Sequence, residues 1–411
     1  MYYCGLFWSF TTNFSELDYG FKQKGGVFLD NQSTENAQNE NLSCPEKETK
    51  EKSLKSKLIW SVVFVAIAAL TIWAITSQEG FTLSGFISFL GSLHPVWLVC
   101  AFLGTAGFIV FEALAIMTII KSFGYKRPFR KGIIYSTSDI YFSAITPSAS
   151  GGQPASAYFM IRDGIPGSMT TFSLIVNLIM YSFAIVIIGI VSILMKPSVF
   201  IGFPVVCKVL VIIGAVAIVS VAMFFMLILF KSSILLKIGN TCLALLAKMK
   251  LIRNLESKQT KLRCAIEEYN SHVAKLKGRG KMLFKVLVFN VLQRASLISV
   301  CMFTYLAAGG DGALAIDVWV SQCLVVVGTN MLPIPGAMGI SDFMLIAAFG
   351  AIGFSEGAAM NLNLVSRGIS FYLSVVLCGI SMIIRVISYK VGAKKQISSH
   401  KMSDDNENLS A

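Results

Sequence analysis

The chain has 411 residues, of which 55% are hydrophobic and only 14% charged, with a mean hydropathy of +0.69 and a net charge of +13. Several apolar runs exceed the ~18 residues that mark a membrane-spanning helix, which excludes a soluble protein. The basic excess sits in short loops beside those runs, where it sets orientation and meets anionic lipid, so nucleic acid is excluded as a partner.

Residues 1–57 are polar, rich in Asn, Glu, Lys and Ser, and read as a disordered cytoplasmic tail. The apolar patch from Tyr2 to Phe10 has no basic region before it and no small-residue cleavage site after it, so it is a poor signal peptide. Full spans are predicted at 58–76, 95–120, 168–195, 205–230, 282–308 and 362–388. Each is long enough, at about 1.5 Å per residue, to cross a hydrocarbon core of ~30 Å.

Charge asymmetry orients these spans. Loop 121–132 carries Lys121, Lys126, Arg127, Arg130 and Lys131 and no acid. Segment 231–281 holds twelve Lys/Arg against Glu256, Glu267 and Glu268, and the tail 391–411 follows Lys390 with Lys394, Lys395 and Lys401. All three are expected in the cytoplasm. Glu79, Asp311, Asp317 and Glu356 lie in the opposite loops. Within 231–281, apolar Leu251, Leu255, Leu262, Ile266 and Tyr269 alternate with Lys258, Lys261 and Arg263, the pattern of an amphipathic helix on the anionic inner leaflet. A solvated elbow between the two membrane halves, 58–230 and 282–390, is the plainer alternative.

Two stretches remain, 133–160 and 318–352, and each must begin and end on one side for the crossings to balance. Each also breaks near its middle, at Thr146 to Pro154 and at Asn330 to Gly339. Irregular backbone inside a bilayer survives only where it is buried in protein or lines a polar cavity. The predicted fold is therefore an all-α polytopic bundle with about six full spans and two oppositely oriented re-entrant helical hairpins, a plan shared by many transporters.

The first break reads Thr146-Pro-Ser-Ala-Ser-Gly-Gly-Gln-Pro154. Successive N–H groups of Ser150, Gly151 and Gly152, with the Ser148 and Ser150 hydroxyls, would form a nest for phosphate at a helix N-terminus. A flexible break that lets helices pack closely is the alternative. In the second, Asp342 opens the next half-helix, either stabilising its N-terminus or meeting a proton, a cation or a basic head group. Within the spans Glu112, Asp139, Arg294, Arg367 and Arg385 are ionisable, and such groups are costly there and mostly face a pathway or one another. Arg294, beside Asn290 and Gln293, is the strongest of them; Arg385 reads as a snorkelling residue near the cytoplasmic end. Asn177 and Gln322 read as interhelical hydrogen-bond partners.

Other chemistry has no support in the sequence. The nine cysteines show no Cys-x-x-Cys spacing, and the three histidines, His94, His272 and His400, lie in different segments, so no metal site is predicted. There is no nucleophile–base–acid set and no Walker sequence, and no cofactor is expected.

The runs Tyr135 to Pro154 and Leu332 to Asp342, in that order, resemble the lysylphosphatidylglycerol synthase transmembrane-region family. That family includes the flippase half of the bacterial multiple peptide resistance factor, and the similarity covers roughly residues 58–390. Asp342 stands where the family pattern more often has the longer Glu. The resemblance implies movement of phospholipids, often aminoacylated, between the leaflets of the cell membrane. Only a short polar tail follows the last span, so the soluble lysyl-transferase domain of the full-length synthases is expected to be missing. On this reading Ser148, Ser150, Gly151, Gly152 and Gln153 hold the phosphate, and Arg294 adds positive charge. Glu112, Asp139, Asp342 and Arg367 then meet a basic head group or a coupling ion. Three alternatives stay open: a phosphatidylglycerol lysyltransferase or its membrane subunit, acting with a separately encoded transferase; a secondary carrier of a small anion; and a non-transporting scaffold. Self-association is also left open.

Overall fold

The computed structural model describes residues 83–146, 151–231, 255–330, 332 and 339–385, with scattered residues between 233 and 244. The span predicted at 58–76, both tails, most of 231–254, and Ser148 and Ser150 of the first break lie outside the described residues.

Among the described residues 87% are helical and none is in a strand. The helices are α1 (Leu83–Ser92), α2 (Pro95–Ser122), α3 (Phe129–Ile145), α4 (Gly152–Arg162), α5 (Gly167–Met195), α6 (Pro197–Gly202), α7 (Val205–Phe230), α8 (Leu255–Ala274), α9 (Gly280–Ala307), α10 (Gly312–Thr329), α11 (Ile340–Ala351) and α12 (from Glu356). The last runs to Arg385 through one π-helical turn, Gly368–Leu373. Six of the described helices, α2, α5, α7, α9, α10 and α12, are long and apolar enough to cross a bilayer. The protein is thus an all-α, multi-pass membrane protein.

Proline starts α2 and α6, at Pro95 and Pro197, where its missing N–H has no intrahelical partner to lose. The central pair is α2 against α9, and small residues let their backbones close up. A Cβ on Gly104 would lie 2.8 Å from the Ser296 carbonyl oxygen, so only glycine fits that crossing. One face of α7, with Val205, Ile212, Ile213 and Val216, stays exposed, as suits a lipid-facing surface.

Both broken stretches fold as antiparallel hairpins. In α3–α4 the open ends meet at Asp163, which accepts hydrogen bonds from Lys131 Nζ (2.5 Å) and Tyr135 Oη (3.0 Å). In α10–α11 the closed end brings Gly328 against Met344. The two hairpins point in opposite directions. The base of α3–α4 is tied to the C-terminal end of α12 through Arg385 and Asp163. The base of α10–α11 lies at the opposite end, where Asp317 pairs with Lys196 beyond the end of α5 (3.2 Å).

Several boundaries differ from expectation. Helix α3 starts at Phe129 rather than 133, because Pro128 sets the N-cap. Helix α10 starts at Gly312 rather than 318, because the Asp311 carboxylate caps it by accepting from the Ala313 N–H (2.9 Å). The amphipathic helix of the basic segment exists as α8, and part of its described apolar face packs on protein. Ile266, Tyr269 and His272 are buried, with Tyr269 and His272 against Phe172 of α5 and His272 also against Phe123.

Candidate functional site

The polar residues of the spans gather at mid-depth. Arg294 stands half-way along α9 and Tyr181 half-way along α5. The Arg294 guanidinium lies 4.3 Å from the centre of the Tyr181 ring and 5.7 Å from that of Phe108. Such a sandwich holds a cation away from bulk water. The Tyr181 hydroxyl donates to Asn330 Oδ1 at the closed end of the second hairpin (2.9 Å).

The first hairpin supplies the acidic side of this region. Glu112 and Asp139 are buried, on α2 and α3, within hydrogen-bond reach of one another, and both feel the Arg294 charge. Ser136 Oγ donates to Glu112 (3.2 Å), and Ser143 Oγ and Gln153 Nε2 donate to Asp139 (3.3 and 2.8 Å). Gly152 makes this possible: a Cβ there would overlap the Asp139 carboxylate, the Ser143 hydroxyl and the Asp139 carbonyl. The Gly151 N–H donates to Thr146 Oγ1 (2.9 Å). The described part of the expected phosphate nest therefore has Gly151 and Gln153 bonded within the hairpin and Gly152 packed on a carboxylate.

The second hairpin supplies the basic side. Asp342, at the start of α11, accepts from the Gly339 N–H through Oδ2 (2.9 Å) and from Asn363 Nδ2 through Oδ1 (3.0 Å). Its Oδ1 also forms an ion pair with Arg367 Nε (2.6 Å), and Arg367 bonds the Ser341 hydroxyl. The helix-capping role and a charge-pairing role for Asp342 are thus both realised. Arg367, on α12 immediately before the π-helical turn, joins α12 to the tip of α11. That turn leaves irregular carbonyls, one of which, Ile369 O, accepts from Thr105 Oγ1 (3.2 Å).

Between these elements lies a cavity of about 260 Å³. Arg294 and Arg367 line it with neutral polar side chains, among them Gln322, Asn330, Asn363 and Ser370. Its walls come from α9, α10, α11 and α12, so it is built from the second half of the chain. A cleft with two guanidinium groups and several neutral donors and acceptors suits an anion carrying hydrogen-bonding groups.

Some of the remaining polar residues of the spans find partners elsewhere, whereas Gln293 Oε1 and Gln322 Oε1 are buried without a hydrogen-bond partner. Asn290 Nδ2 donates to Asn177 Oδ1 (3.1 Å), the interhelical bond expected of Asn177. Arg385 does not simply snorkel, since its Nη2 donates to Asp163 (3.1 Å). Sequence reasoning passes over Asp163, which sits in a basic turn and looks like neutralisation of the loop. It also passes over Tyr181, one aromatic among many, and Asn363 and Ser370, ordinary polar residues in a long span.

The site can be set beside known proteins. No curated protein matches the chain. One family profile, described as the lysylphosphatidylglycerol synthase transmembrane region, matches residues 58–378. That stretch contains both hairpins, the Glu112–Asp139 pair, Arg294 and the whole cavity lining. With most of its length matched, this chain belongs to the lysylphosphatidylglycerol synthase transmembrane-region family.

Proposed function

We propose that this protein is a flippase-like transporter that moves a phospholipid between the leaflets of the cell membrane. The head group passes through the polar cavity while the acyl chains stay in the bilayer. The observation that carries this reading is the mid-depth cavity with Arg294 and Arg367 in its wall, flanked by two broken hairpins that enter from opposite ends. Cations at that depth are costly unless they meet a pathway or a charged ligand. Arg294 and Arg367 hold the phosphate, and the carboxylates Glu112 and Asp139 keep Arg294 in place. Basic loops at 121–132 and 231–281 orient both termini to the cytoplasm.

Reconstituting the purified chain in liposomes and following leaflet exchange of labelled phosphatidylglycerol, with and without its lysylated form, tests this. Arg294→Ala should slow exchange by about ten- to a hundredfold, the loss expected for a hydrogen bond to charge worth ~1.5–3 kcal/mol. Unchanged exchange at equal protein content would sink the proposal. Uptake of a free anion without lipid exchange would favour the carrier reading, which the small volume of the cavity also fits.

A further inference from the structure

Helix α12 bonds to both hairpins, each through a different half of its length. Its N-terminal half holds the second hairpin. Asn363 Nδ2 donates to Asp342 Oδ1 (3.0 Å), Arg367 Nε pairs with the same oxygen (2.6 Å), and Arg367 bonds the Ser341 hydroxyl. Ser341 and Asp342 lie in the first turn of α11. The C-terminal half of α12 holds the first hairpin. A Cβ on Gly379 would lie 3.0 Å from the Tyr141 ring of α3, so bare backbone meets that ring. The Ser381 and Thr137 hydroxyls are 3.2 Å apart, and Arg385 Nη2 donates to Asp163 (3.1 Å).

The two halves join at the π-helical turn, Gly368–Leu373. Just past it, Ser374 Oγ donates back to the Ser370 carbonyl (2.6 Å), a kind of bond that bends helices. Such turns, and Gly/Ser neighbours, are where long helices kink. Glycine at 368 fits the same purpose. An added Cβ would meet no atom within 4 Å and its φ of −53° is open to any residue, so neither crowding nor handedness calls for it. What it supplies is a softer helix. The turn is also pinned from outside. Thr105 Oγ1 of α2 donates to the Ile369 carbonyl (3.2 Å), and Ile369 packs with Ala101 of α2 and Val300 of α9. The joint therefore rests on the central α2–α9 pair.

We propose that α12 is a jointed helix whose π-helical turn is the hinge of the protein. Each half travels as one body with the hairpin it holds, and both bodies swing against the α2–α9 frame. From Leu373 to Arg385 the C-terminal arm is about 18 Å long at ~1.5 Å per residue, so a bend of ~20° displaces its end by roughly 6 Å. In a protein that moves lipid, this bending opens and closes the way past the first hairpin. That consequence rests on the translocation reading; the hinge itself does not.

The test measures distances between pairs of spin labels on the full chain in lipid nanodiscs. Labels carried by non-natural amino acids leave the nine native cysteines in place. Exposed Phe284 of α9 paired with exposed Ile384 reports the C-terminal arm against the frame. Exposed Arg130 of α3 paired with Ile384 reports within one body. The frame pair should spread over roughly 6 Å more than the within-body pair. Deletion of Gly368, which takes the extra residue out of the turn, should narrow the frame pair to the within-body width. Frame and within-body pairs of equal width overturn the proposal. So does a spread that survives the deletion, which would put the pivot elsewhere. The comparison on the undeleted chain stands even if the deletion misfolds. Leaflet exchange separates hinge from translocation. Bending without exchange of any lipid sinks translocation and keeps the hinge. Lipid exchange with both pairs narrow keeps translocation and overturns the hinge.

Discussion

Asp163 and Arg385 meet at 3.1 Å although 222 residues separate them in the chain. The contact ties the base of the α3–α4 hairpin to the end of the last described helix. At the other end of the bundle, Lys196 and Asp317 do the same for the α10–α11 hairpin at 3.2 Å. Each hairpin base is thus fastened to the opposite half of the protein by one carboxylate–cation pair, and the cavity lies between the two fastenings.

The two fastenings should differ in strength. The Asp163 side chain is 7% exposed and serves Lys131, Tyr135 and Arg385, whereas Lys196 is 40% exposed. Removing a buried carboxylate strands its cations, so Asp163→Asn should cost about 2–4 kcal/mol, between the exposed and buried limits. Lys196→Ala should cost less than ~1 kcal/mol. Thermal unfolding of the two variants in one detergent checks the order, and an equal loss in both would contradict it.

Gly152→Ala should be among the most damaging small substitutions in the protein. Its Cβ would overlap two oxygens of Asp139, side chain and carbonyl, and the second of these belongs to the backbone. Overpacking of this kind costs ~3 kcal/mol or more. Gly350→Ala in α11, with nothing near its added carbon, serves as the control and should be neutral or gain up to about 1 kcal/mol from helix propensity. Folded yield by size exclusion separates the two outcomes.

Asp342→Asn keeps the size of the side chain and removes its charge. Arg367 then loses its ion-pair partner in a buried site, at a cost of ~3–5 kcal/mol. Combining it with Arg367→Gln should recover part of that loss, because the stranded charge is gone. Additive losses in the double variant would show that the pair is not coupled.

His272 makes the stability of the basic end depend on pH. Burial against Phe123 and Phe172 pushes its imidazole below the ordinary range, with Glu268 pulling it up and Lys275 pushing it down. A lowered value in the folded state means that the unfolded chain binds the proton more tightly. Stability is therefore full above the unfolded value, about 6.5, and falls as pH drops from there toward the folded value. His272→Phe should flatten the dependence of the unfolding temperature between about pH 5 and 7. A slope that persists in the variant would place its origin elsewhere.

Legibility in the sequence differs from element to element. The spans were legible because length and hydropathy are local properties, and α2, α5, α7 and α9 lie where the apolar runs are. Both breaks were legible because proline is tolerated in the first turn of a helix but not in its interior, so Pro147, Pro154, Pro333 and Pro335 exclude one continuous helix through either stretch. The charged residues inside apolar runs, Glu112, Asp139, Arg294 and Arg367, were legible too, since a charge there is conspicuous, whereas buried Asp163 in its turn was not. Their partners were not. Asp342 with Arg367, and Asp163 with Arg385, are matched by the packing of helices far apart in the chain, and nothing in local composition encodes those distances. The same holds for α8, whose amphipathic pattern suits a lipid surface as well as it suits the α5 face that covers it. The sequence by itself determined that this is a helical membrane protein with two broken hairpins and charges held at depth. Only the tertiary structure decided which charges neutralise one another and which face the cavity, because that choice depends on nonlocal geometry.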